Sequence, residues 1–105
     1  MSSIETQFDL IVVGGGASGL IAAGRAAERG KRVLLLEKNK KLGEKLKISG
    51  GGRCNITNAE FDPHALLPHY GKSEQFLYSL FAQFGVKETF AFVESRGLPL
   101  VVQAR

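Results

Sequence analysis

The residues best suited to chemistry in this 105-residue sequence are a run of glycines and a glutamate that follows it. Gly14, Gly16 and Gly19 form the pattern G-x-G-x-x-G directly after an apolar run, and Glu37 follows a second apolar run. Glycines at this spacing permit a tight turn, let the backbone approach a pyrophosphate and let a helix pack closely. A carboxylate after the second strand accepts hydrogen bonds from ribose hydroxyls and repels a 2′-phosphate. The pattern therefore predicts a site for a dinucleotide without a 2′-phosphate.

A strand, a turn, a helix and a second strand must position these residues. The apolar runs Phe8–Val13 and Lys31–Leu36 are typical of buried parallel strands, and the alanine-rich stretch Ala17–Arg29 predicts a helix. The helix N-terminus, with free N–H groups and partial positive charge, suits a pyrophosphate. Gly30 is expected to end the helix. Its narrow apolar face consists of Leu20, Ile21, Ala23, Ala26 and Ala27. The alternative is a glycine-rich turn in an α/β protein that binds nothing.

A second glycine cluster lies in the segment Ile48–Asn58. The run Gly50–Gly52 precedes Arg53 and Asn55, so a flexible backbone is surrounded by side-chain donors. Such a loop suits phosphate oxygens, because backbone N–H groups can turn toward an anion while an arginine makes a bidentate contact. The alternative is an ordinary turn whose backbone is capped by asparagines. Beside a complete βαβ unit we favour the anion-binding interpretation.

Much of the net charge of +4 comes from lysines in the segment Lys38–Lys47. One interpretation of this segment is attraction of a polyanion, and the other is a solvated stretch that helps to steer a dinucleotide. Nucleic-acid binding would need aromatic or arginine side chains among the lysines, and the segment contains none. We therefore expect no nucleic-acid partner.

Composition also restricts the compartment and the kind of site. Cys54 is the single cysteine, which excludes an internal disulfide and fits a reducing compartment. The sequence has neither a run of 18 apolar residues nor a basic N-terminus with a following apolar stretch and cleavage site. We therefore expect a cytoplasmic protein without a membrane partner. His64 and His69, separated by a proline, fit no common metal site, so no metal is expected.

The second half of the chain is predicted to be helical. Ser73 is a suitable N-cap for a helix that ends at Gly85, and a second helix is expected from about Lys87 to Arg96. Phe90 and Val93 of the second helix are expected to point inward. The apolar face of the first helix consists of Phe76, Leu77, Leu80, Phe81 and Phe84. We expect these phenylalanines to pack in a core rather than line a substrate pocket, because they recur at helical spacing.

The length of the chain allows one domain at most. A doubly wound sheet needs more than two parallel strands, and residues 100–105 are expected to form part of another. Residues 62–71, with two prolines, are expected to form a loop or short turns. The expected architecture is the N-terminal part of a single α/β, Rossmann-like domain, incomplete without a C-terminal remainder. It would comprise a βαβ core over residues 7–37, a glycine-rich loop over residues 48–58 and a helical segment over residues 73–97.

Several stretches of the sequence resemble a known family. Residues Asp9–Leu20 resemble the N-terminus of FAD-binding flavoproteins with two dinucleotide folds. The segments Leu34–Asn39, Lys41–Leu46 and Ile48–Asn58, the last reading ISGGGRCNITN, are more specific. They resemble the aminoacetone-oxidase-like and bile-acid-reductase-like NAD(P)/FAD-dependent oxidoreductases. The resemblance covers most of the chain and weakens beyond about Pro99.

The resemblance implies an FAD-dependent oxidoreductase whose N-terminal segment anchors the ADP part of FAD. The residues that it implies for cofactor binding are Gly14, Gly16, Ala17, Ser18, Gly19, Glu37, Lys38, Gly51, Gly52, Arg53 and Asn55. The flavin would supply the redox chemistry, and NAD(P)H is left open as electron donor. The catalytic residues, the small-molecule substrate and the oligomeric state stay unassigned, because the residues that act on the substrate are expected beyond this chain.

Two other functions remain open on the sequence. An NAD-binding Rossmann domain of a dehydrogenase explains Gly14–Glu37 equally well, but it leaves Gly50–Asn58 without a purpose. A non-catalytic flavin- or RNA-binding module would instead use Lys38–Lys47 as its contact surface.

Overall fold

A computed structural model describes residues 6–103, which divide into two compact units between Asn55 and Ile56. The first unit contains β1 (Leu10–Val13), α1 (Ala17–Glu28), β2 (Val33–Leu36), α2 (Glu44–Ile48) and a 3-10 helix (Ser49–Gly52). The second contains α3 (Pro63–Leu66), a 3-10 helix (Leu67–Ser73), α4 (Glu74–Gln83) and α5 (Val86–Glu94). The predicted α/β fold with a βαβ unit followed by helices is confirmed.

β1 and β2 form a two-stranded parallel sheet in which residues 10–13 pair with residues 33–36. Each strand begins two residues later than predicted. The residues just before β1 and β2 are also joined by a hydrogen bond, in which the Asp9 N–H donates to the Arg32 carbonyl at 2.8 Å. The Asp9 carboxylate in turn accepts from the Arg32 N–H at 2.8 Å. The connection between parallel strands must cross over the sheet, and α1 makes that crossing while packing on both strands.

α1 ends at a glycine, as predicted. The Gly30 N–H donates to the Ala27 carbonyl at 2.9 Å, and the Lys31 N–H donates to the Ala26 carbonyl at 3.1 Å. This pair of bonds is the Schellman arrangement, which satisfies carbonyls that the helix leaves free. The chain can therefore turn directly into β2.

The buried face of α1 is narrower than predicted. Gly19, Leu20, Ala23 and Ala26 are half-buried, whereas Ile21 is 55% exposed and Ala27 is also exposed. Successive helical residues are rotated by about 100°, so Ile21 lies on the side of the helix opposite Gly19. The assignment of Ile21 and Ala27 to the packed face was wrong.

The second unit has a small core formed by Leu66, Leu67 and Val86, which are at most 5% exposed. Sequence analysis predicted only a loop or short turns where the first two of these lie. The Asp62 carboxylate instead caps α3 by accepting the N–H of His64 at 3.0 Å, and Pro63 is the first residue of the helix. An aspartate followed by proline is a known signal for the start of a helix, because both suit its first turn.

The ends of α4 and α5, the two longer helices of the second unit, differ from the prediction. Ser73 precedes α4, but its side chain makes no capping hydrogen bond. Gly85 belongs to the start of α5, since its N–H donates to the Glu88 carboxylate at 3.2 Å. α5 therefore begins one residue earlier than predicted, and it ends at residue 94 rather than 96. Phe90 and Val93 are half-buried, in agreement with their predicted inward direction.

The apolar face of α4 is buried only in part. Leu77 and Phe81 are half-buried, in agreement with the prediction. Phe76, Leu80 and Phe84 are 72%, 46% and 53% exposed, so their predicted burial is wrong. At about 100° per residue the five side chains lie within an arc of about 140°, and only the edge of that face that contains Leu77 and Phe81 is half-buried.

The strand predicted over residues 100–105 is not observed in the part of the chain that the structure describes. Residues 98–103 have no regular secondary structure, and residues 104–105 lie outside the described range. A strand is defined by hydrogen bonds to a neighbour, and the sheet within residues 6–103 consists of β1 and β2. No helix among the described residues is long and apolar enough to cross a membrane.

Candidate functional site

Glycine is required at two positions here, one in the turn after β1 and one in the first turn of α1. Gly14 has a φ of +106°, a conformation that side chains disfavour, and its N–H donates to the Leu36 carbonyl at 2.7 Å. A Cβ at Gly19 would overlap the Gly14 carbonyl oxygen and would lie 3.4 Å from Cγ1 of Val12. α1 therefore approaches β1 closely because residue 19 has no side chain.

The N-terminus of α1 presents open backbone. A Cβ at Gly16 would have no atom within 4 Å, and Gly16, Ala17 and Ser18 are exposed. No side-chain hydrogen bond caps the helix, so the N–H groups of its first turn are left to solvent or to a ligand. These donors and the partial positive charge of the helix end favour an anion at this position.

Glu37 follows β2 directly, and two backbone groups hold its carboxylate. The Gly15 N–H donates to Oε1 at 2.9 Å, and the Asn39 N–H donates to Oε2 at 2.8 Å. These bonds, with that from Asn39 the stronger cause, and the charge of Lys38 lower the pKa of Glu37 below its ordinary value of 4.5. Partial desolvation opposes the shift. Glu37 is therefore a fixed negative charge at neutral pH.

The bound carboxylate of Glu37 keeps the capacity to accept further hydrogen bonds. An ionised carboxylate has about four acceptor sites, and backbone N–H groups occupy two of them here. The remaining sites suit a pair of hydroxyl groups, as the sequence predicted for an adenosine ribose. The fixed charge also disfavours a phosphate on the 2′ oxygen.

Sequence analysis missed the roles of Gly15 and Gly43. Gly15 is buried, donates to Glu37 and accepts from the Gly43 N–H at 2.8 Å through its carbonyl. A Cβ at Gly15 would lie 2.5 Å from Cδ2 of Leu42 and 3.3 Å from Cβ of Glu37, so the end of the exposed Leu42 side chain would have to move. The sequence signal that could have drawn attention to Gly15 was the presence of a third glycine between Gly14 and Gly16. These contacts tie the residues after Glu37 to the glycine turn.

The second glycine-rich loop uses part of its hydrogen-bonding capacity on itself. Gly50 and Gly51 have φ of +62° and +61°. The Arg53 N–H donates to the Gly50 carbonyl at 3.2 Å, and the Cys54 N–H donates to the Ser49 carbonyl at 3.0 Å. These two donors are thus already occupied, whereas the Arg53 side chain is exposed.

The structure brings Glu37 to the turn that contains Gly14, Gly16 and Gly19, through its bond to Gly15. Lys38, exposed, is the next residue. The hydrogen bonds that residues 49–55 make within the described chain stay between residues 46 and 54. The side-chain oxygen of Asn55 would lie 2.6 Å from a Cβ at Gly50, so Asn55 also packs on its own loop. The cofactor-binding roles of Gly51, Gly52, Arg53 and Asn55 stay predictions.

The family to which this βαβ unit belongs follows from comparison with known proteins. The family model described as the HI0933-like protein Rossmann domain matches residues 8–105. The chain belongs to this family. The HI0933-like family is one of FAD-binding Rossmann domains, which confirms the family resemblance found in the sequence.

Three curated relatives show the range of proteins that resemble this HI0933-like chain. The ribosomal RNA dihydrouridine synthase of Escherichia coli is 47% identical over 70 residues, which are 64% of the chain and 18% of that protein. The 3-dehydro-bile acid delta(4,6)-reductase of Clostridium scindens is 38% identical over 89 residues, or 83% of the chain and 21% of that protein. Digeranylgeranylglycerophospholipid reductase 1 of Methanococcoides burtonii is 46% identical over 48 residues, or 46% of the chain and 12% of that protein. The chain spans about a fifth of the length of the first two relatives.

Proposed function

We propose that this chain holds the ADP half of FAD in a flavin-dependent oxidoreductase. The observation that carries the proposal is the attachment of Glu37 to the glycine turn by the Gly15 N–H, beside the uncapped N-terminus of α1. One anion-binding group and one hydroxyl-binding group are thus held on the same turn. Membership of a family of FAD-binding Rossmann domains supports the same cofactor.

The residues of this chain would bind and orient the cofactor, while FAD itself supplies hydride transfer. The first-turn N–H groups of α1 would meet the pyrophosphate, and Gly16 would leave room for it. Glu37 would accept from the adenosine ribose hydroxyls. Arg53 would add a cation on the flavin side of the pyrophosphate, with Gly51, Gly52 and Asn55 around it. This assignment leaves substrate chemistry to residues outside the chain.

We propose reduction of a carbon–carbon double bond as the overall reaction. Two relatives that match 64% and 83% of the chain are named as a ribosomal RNA dihydrouridine synthase and a 3-dehydro-bile acid delta(4,6)-reductase. Dihydrouridine is uridine with one ring double bond reduced, so both names describe the same type of reduction on different substrates. NAD(P)H is the donor that we propose for recharging the flavin, because a two-electron hydride donor suits this chemistry.

A valine at Gly16 tests the proposed function. We expect Gly16→Val to eliminate bound FAD, because the side chain would fill the space beside the first-turn N–H groups. Gly24→Val is the matched control, since a Cβ at Gly24 also meets no atom within 4 Å but lies within α1. Flavin absorbance of the purified protein measures FAD content, and circular dichroism measures folding. A folded Gly16→Val protein with wild-type FAD content would contradict the proposal.

An NAD-binding dehydrogenase domain is the competing function. A protein that purifies without flavin absorbance and binds NAD when NAD is added would establish that alternative. The proposal predicts the reverse, with flavin absorbance in the purified protein and no displacement of FAD by NAD.

A further inference from the structure

The buried residues of the first unit lie beside Glu37 rather than between the sheet and α1. Among residues 6–51 and 53–55, whose burial the structure describes, only Gly15 and Gly43 are buried. The Gly43 N–H donates to the Gly15 carbonyl at 2.8 Å, while the Gly15 N–H donates to Oε1 of Glu37 at 2.9 Å. Gly15 thus uses both of its backbone groups to join residues 37 and 43. The part of this unit that is best shielded from water therefore belongs to the candidate site.

The Leu42 side chain covers Gly15. Cδ2 of Leu42 would lie 2.5 Å from a Cβ at Gly15, and Cβ and Cγ of Glu37 would lie 3.3 and 3.4 Å from the same position. The leucine methyl group and the aliphatic part of the glutamate therefore meet over Gly15. Leu42 is nevertheless 44% exposed, so it is not a core residue. Its contact with Gly15 shields the backbone at that point.

The backbone after Leu42 is anchored on both sides. Gly43, the next residue, has a φ of +66° and directly precedes α2. Its N–H is bonded to the glycine turn, and its carbonyl accepts from the Lys47 N–H at 3.0 Å. These two bonds hold the backbone of Leu42 beside Gly15.

The two hydrogen bonds to Glu37 differ in their surroundings. The bond from Gly15 is partly buried and joins residues 22 positions apart, whereas the bond from Asn39 is exposed and joins residues two positions apart. Of the two, only the Gly15 bond ties the carboxylate to the turn that precedes α1. A hydrogen bond to a charged group is stronger where water is excluded. Leu42 therefore covers the bond that orients Glu37 toward the turn.

We propose that Leu42 is a positioning residue for the ribose acceptor, because its side chain keeps water from the Gly15–Glu37 bond and so fixes the direction of the carboxylate. Leu42 acts on cofactor affinity through Glu37 and not by touching the cofactor. The inference rests on the proposed function and adds to it a residue outside the glycine pattern. A role in stability alone would leave the affinity of the folded protein unchanged.

Equilibrium dialysis of the purified FAD-bound protein tests this inference, with bound flavin read from its absorbance. Leu42→Ala should raise the Kd for FAD about three- to tenfold, because a charge-assisted hydrogen bond is opened to water. Leu42→Met conserves side-chain volume and should stay within about twofold of wild type. Leu80→Ala is the matched control, since Leu80 is 46% exposed and lies in the second unit. Equal effects of Leu42→Ala and Leu80→Ala would overturn the inference, as would equal effects of Leu42→Ala and Leu42→Met.

A double-mutant cycle shows whether Leu42 acts through Glu37. In a Glu37→Gln protein the hydrogen bond from Gly15 no longer reaches a charged group. Adding Leu42→Ala to that protein should therefore change the Kd for FAD by less than about twofold. The same loss of affinity in the wild-type and Glu37→Gln backgrounds would overturn the inference, because Leu42 would then act independently of the carboxylate.

Amide hydrogen exchange at single-residue resolution measures the bond itself. With both proteins saturated with FAD, the Gly15 amide should exchange about tenfold faster in Leu42→Ala than in wild type. The Gly14 amide, which donates to the Leu36 carbonyl at 2.7 Å, is the internal control and should keep its rate. Equal acceleration of both amides would indicate general destabilisation and would overturn the inference. Unchanged exchange at Gly15 would also overturn it.

Bound flavin in the wild-type protein separates this inference from the proposed function. A wild-type protein that retains no FAD would overturn the proposed function, and exchange of the Gly15 amide without flavin would then still test the cover by Leu42. A wild-type protein that holds FAD, with an affinity that does not respond to Leu42→Ala, would overturn the inference alone.

Discussion

At the scale of single residues, the contact between Glu37 and Gly15 fixes the position of the carboxylate in the proposed site. A carboxylate after the second strand is a sequence signal, but its fixed position comes from backbone donors on both sides. Those donors leave acceptor sites free and keep the group ionised. Glu37 is thereby suited to hydroxyl groups and unsuited to a phosphate.

The lowered pKa of Glu37 predicts a dependence of stability on pH. Because the folded pKa lies below the ordinary 4.5, folding favours the ionised form. This contribution to the free energy of unfolding is fully present above about pH 4.5 and is lost as the pH falls through the lower folded pKa. Melting curves of wild type and Glu37→Gln should therefore differ most at neutral pH and converge in acid. A constant difference between the two melting temperatures at all pH values would contradict this account.

Glu37 also predicts a change in cofactor selectivity. Glu37→Arg should weaken FAD binding by about tenfold, because the ribose hydroxyls lose their acceptor. The same change should improve binding of adenosine nucleotides that carry a 2′-phosphate, because a repulsive charge becomes an attractive one. Calorimetric titration with FAD and with NADP measures both effects. Unchanged affinity for FAD would contradict the ribose assignment.

At the scale of elements, the close contact of α1 with β1 depends on Gly19. Gly19→Ala should destabilise the fold by about 1–3 kcal/mol, because the added Cβ meets the Gly14 carbonyl. Gly24→Ala should have the opposite sign and stabilise α1 by about 0.5–1 kcal/mol, since alanine is the better helix former and no atom lies within 4 Å. Urea unfolding of both variants measures the difference. Equal effects would contradict the packing described.

In the second unit, the residues Asp62 and Ser73, which precede α3 and α4, should differ in their contribution to the free energy of unfolding. Asp62→Ala should cost about 0.5–2 kcal/mol, because the carboxylate accepts the N–H of His64. Ser73→Ala should change stability by less than about 0.5 kcal/mol, since Ser73 makes no capping bond. Both free energies of unfolding come from thermal melts. A larger cost for Ser73→Ala than for Asp62→Ala would reverse the assignment of the caps.

Elements differ in how far the sequence could predict them. The βαβ unit was predictable because glycines, apolar runs and a helix stop occur in a fixed order from β1 to β2. α3 and the core residues Leu66 and Leu67 were not, because two prolines suggested irregular chain. The burial of α4 was overestimated, since helical spacing shows which residues share a face but not whether another element covers it.

At the scale of the whole molecule, the residue types of the candidate site could be predicted from the sequence. The hydrogen bonds that hold these residues together could not. The acid and the glycines that the structure brings together were identified from the sequence, and their fit to a dinucleotide stays a prediction. The bonds from the Gly15 N–H to the Glu37 carboxylate and from the Gly43 N–H to the Gly15 carbonyl were not identified, because backbone N–H donors are common to nearly all residue types and leave no signature in the sequence. The same bonds hold residues 37 and 43 beside the turn.

We propose that this chain anchors FAD by its ADP half. We would titrate the purified protein, freed of flavin, with FAD, FMN and ADP in a calorimeter, because FMN lacks the adenosine and one of the two phosphates of that half. We expect FAD to bind, ADP to compete with FAD, and FMN to bind much more weakly than FAD. Equal affinity for FMN and FAD, with no competition by ADP, would contradict it.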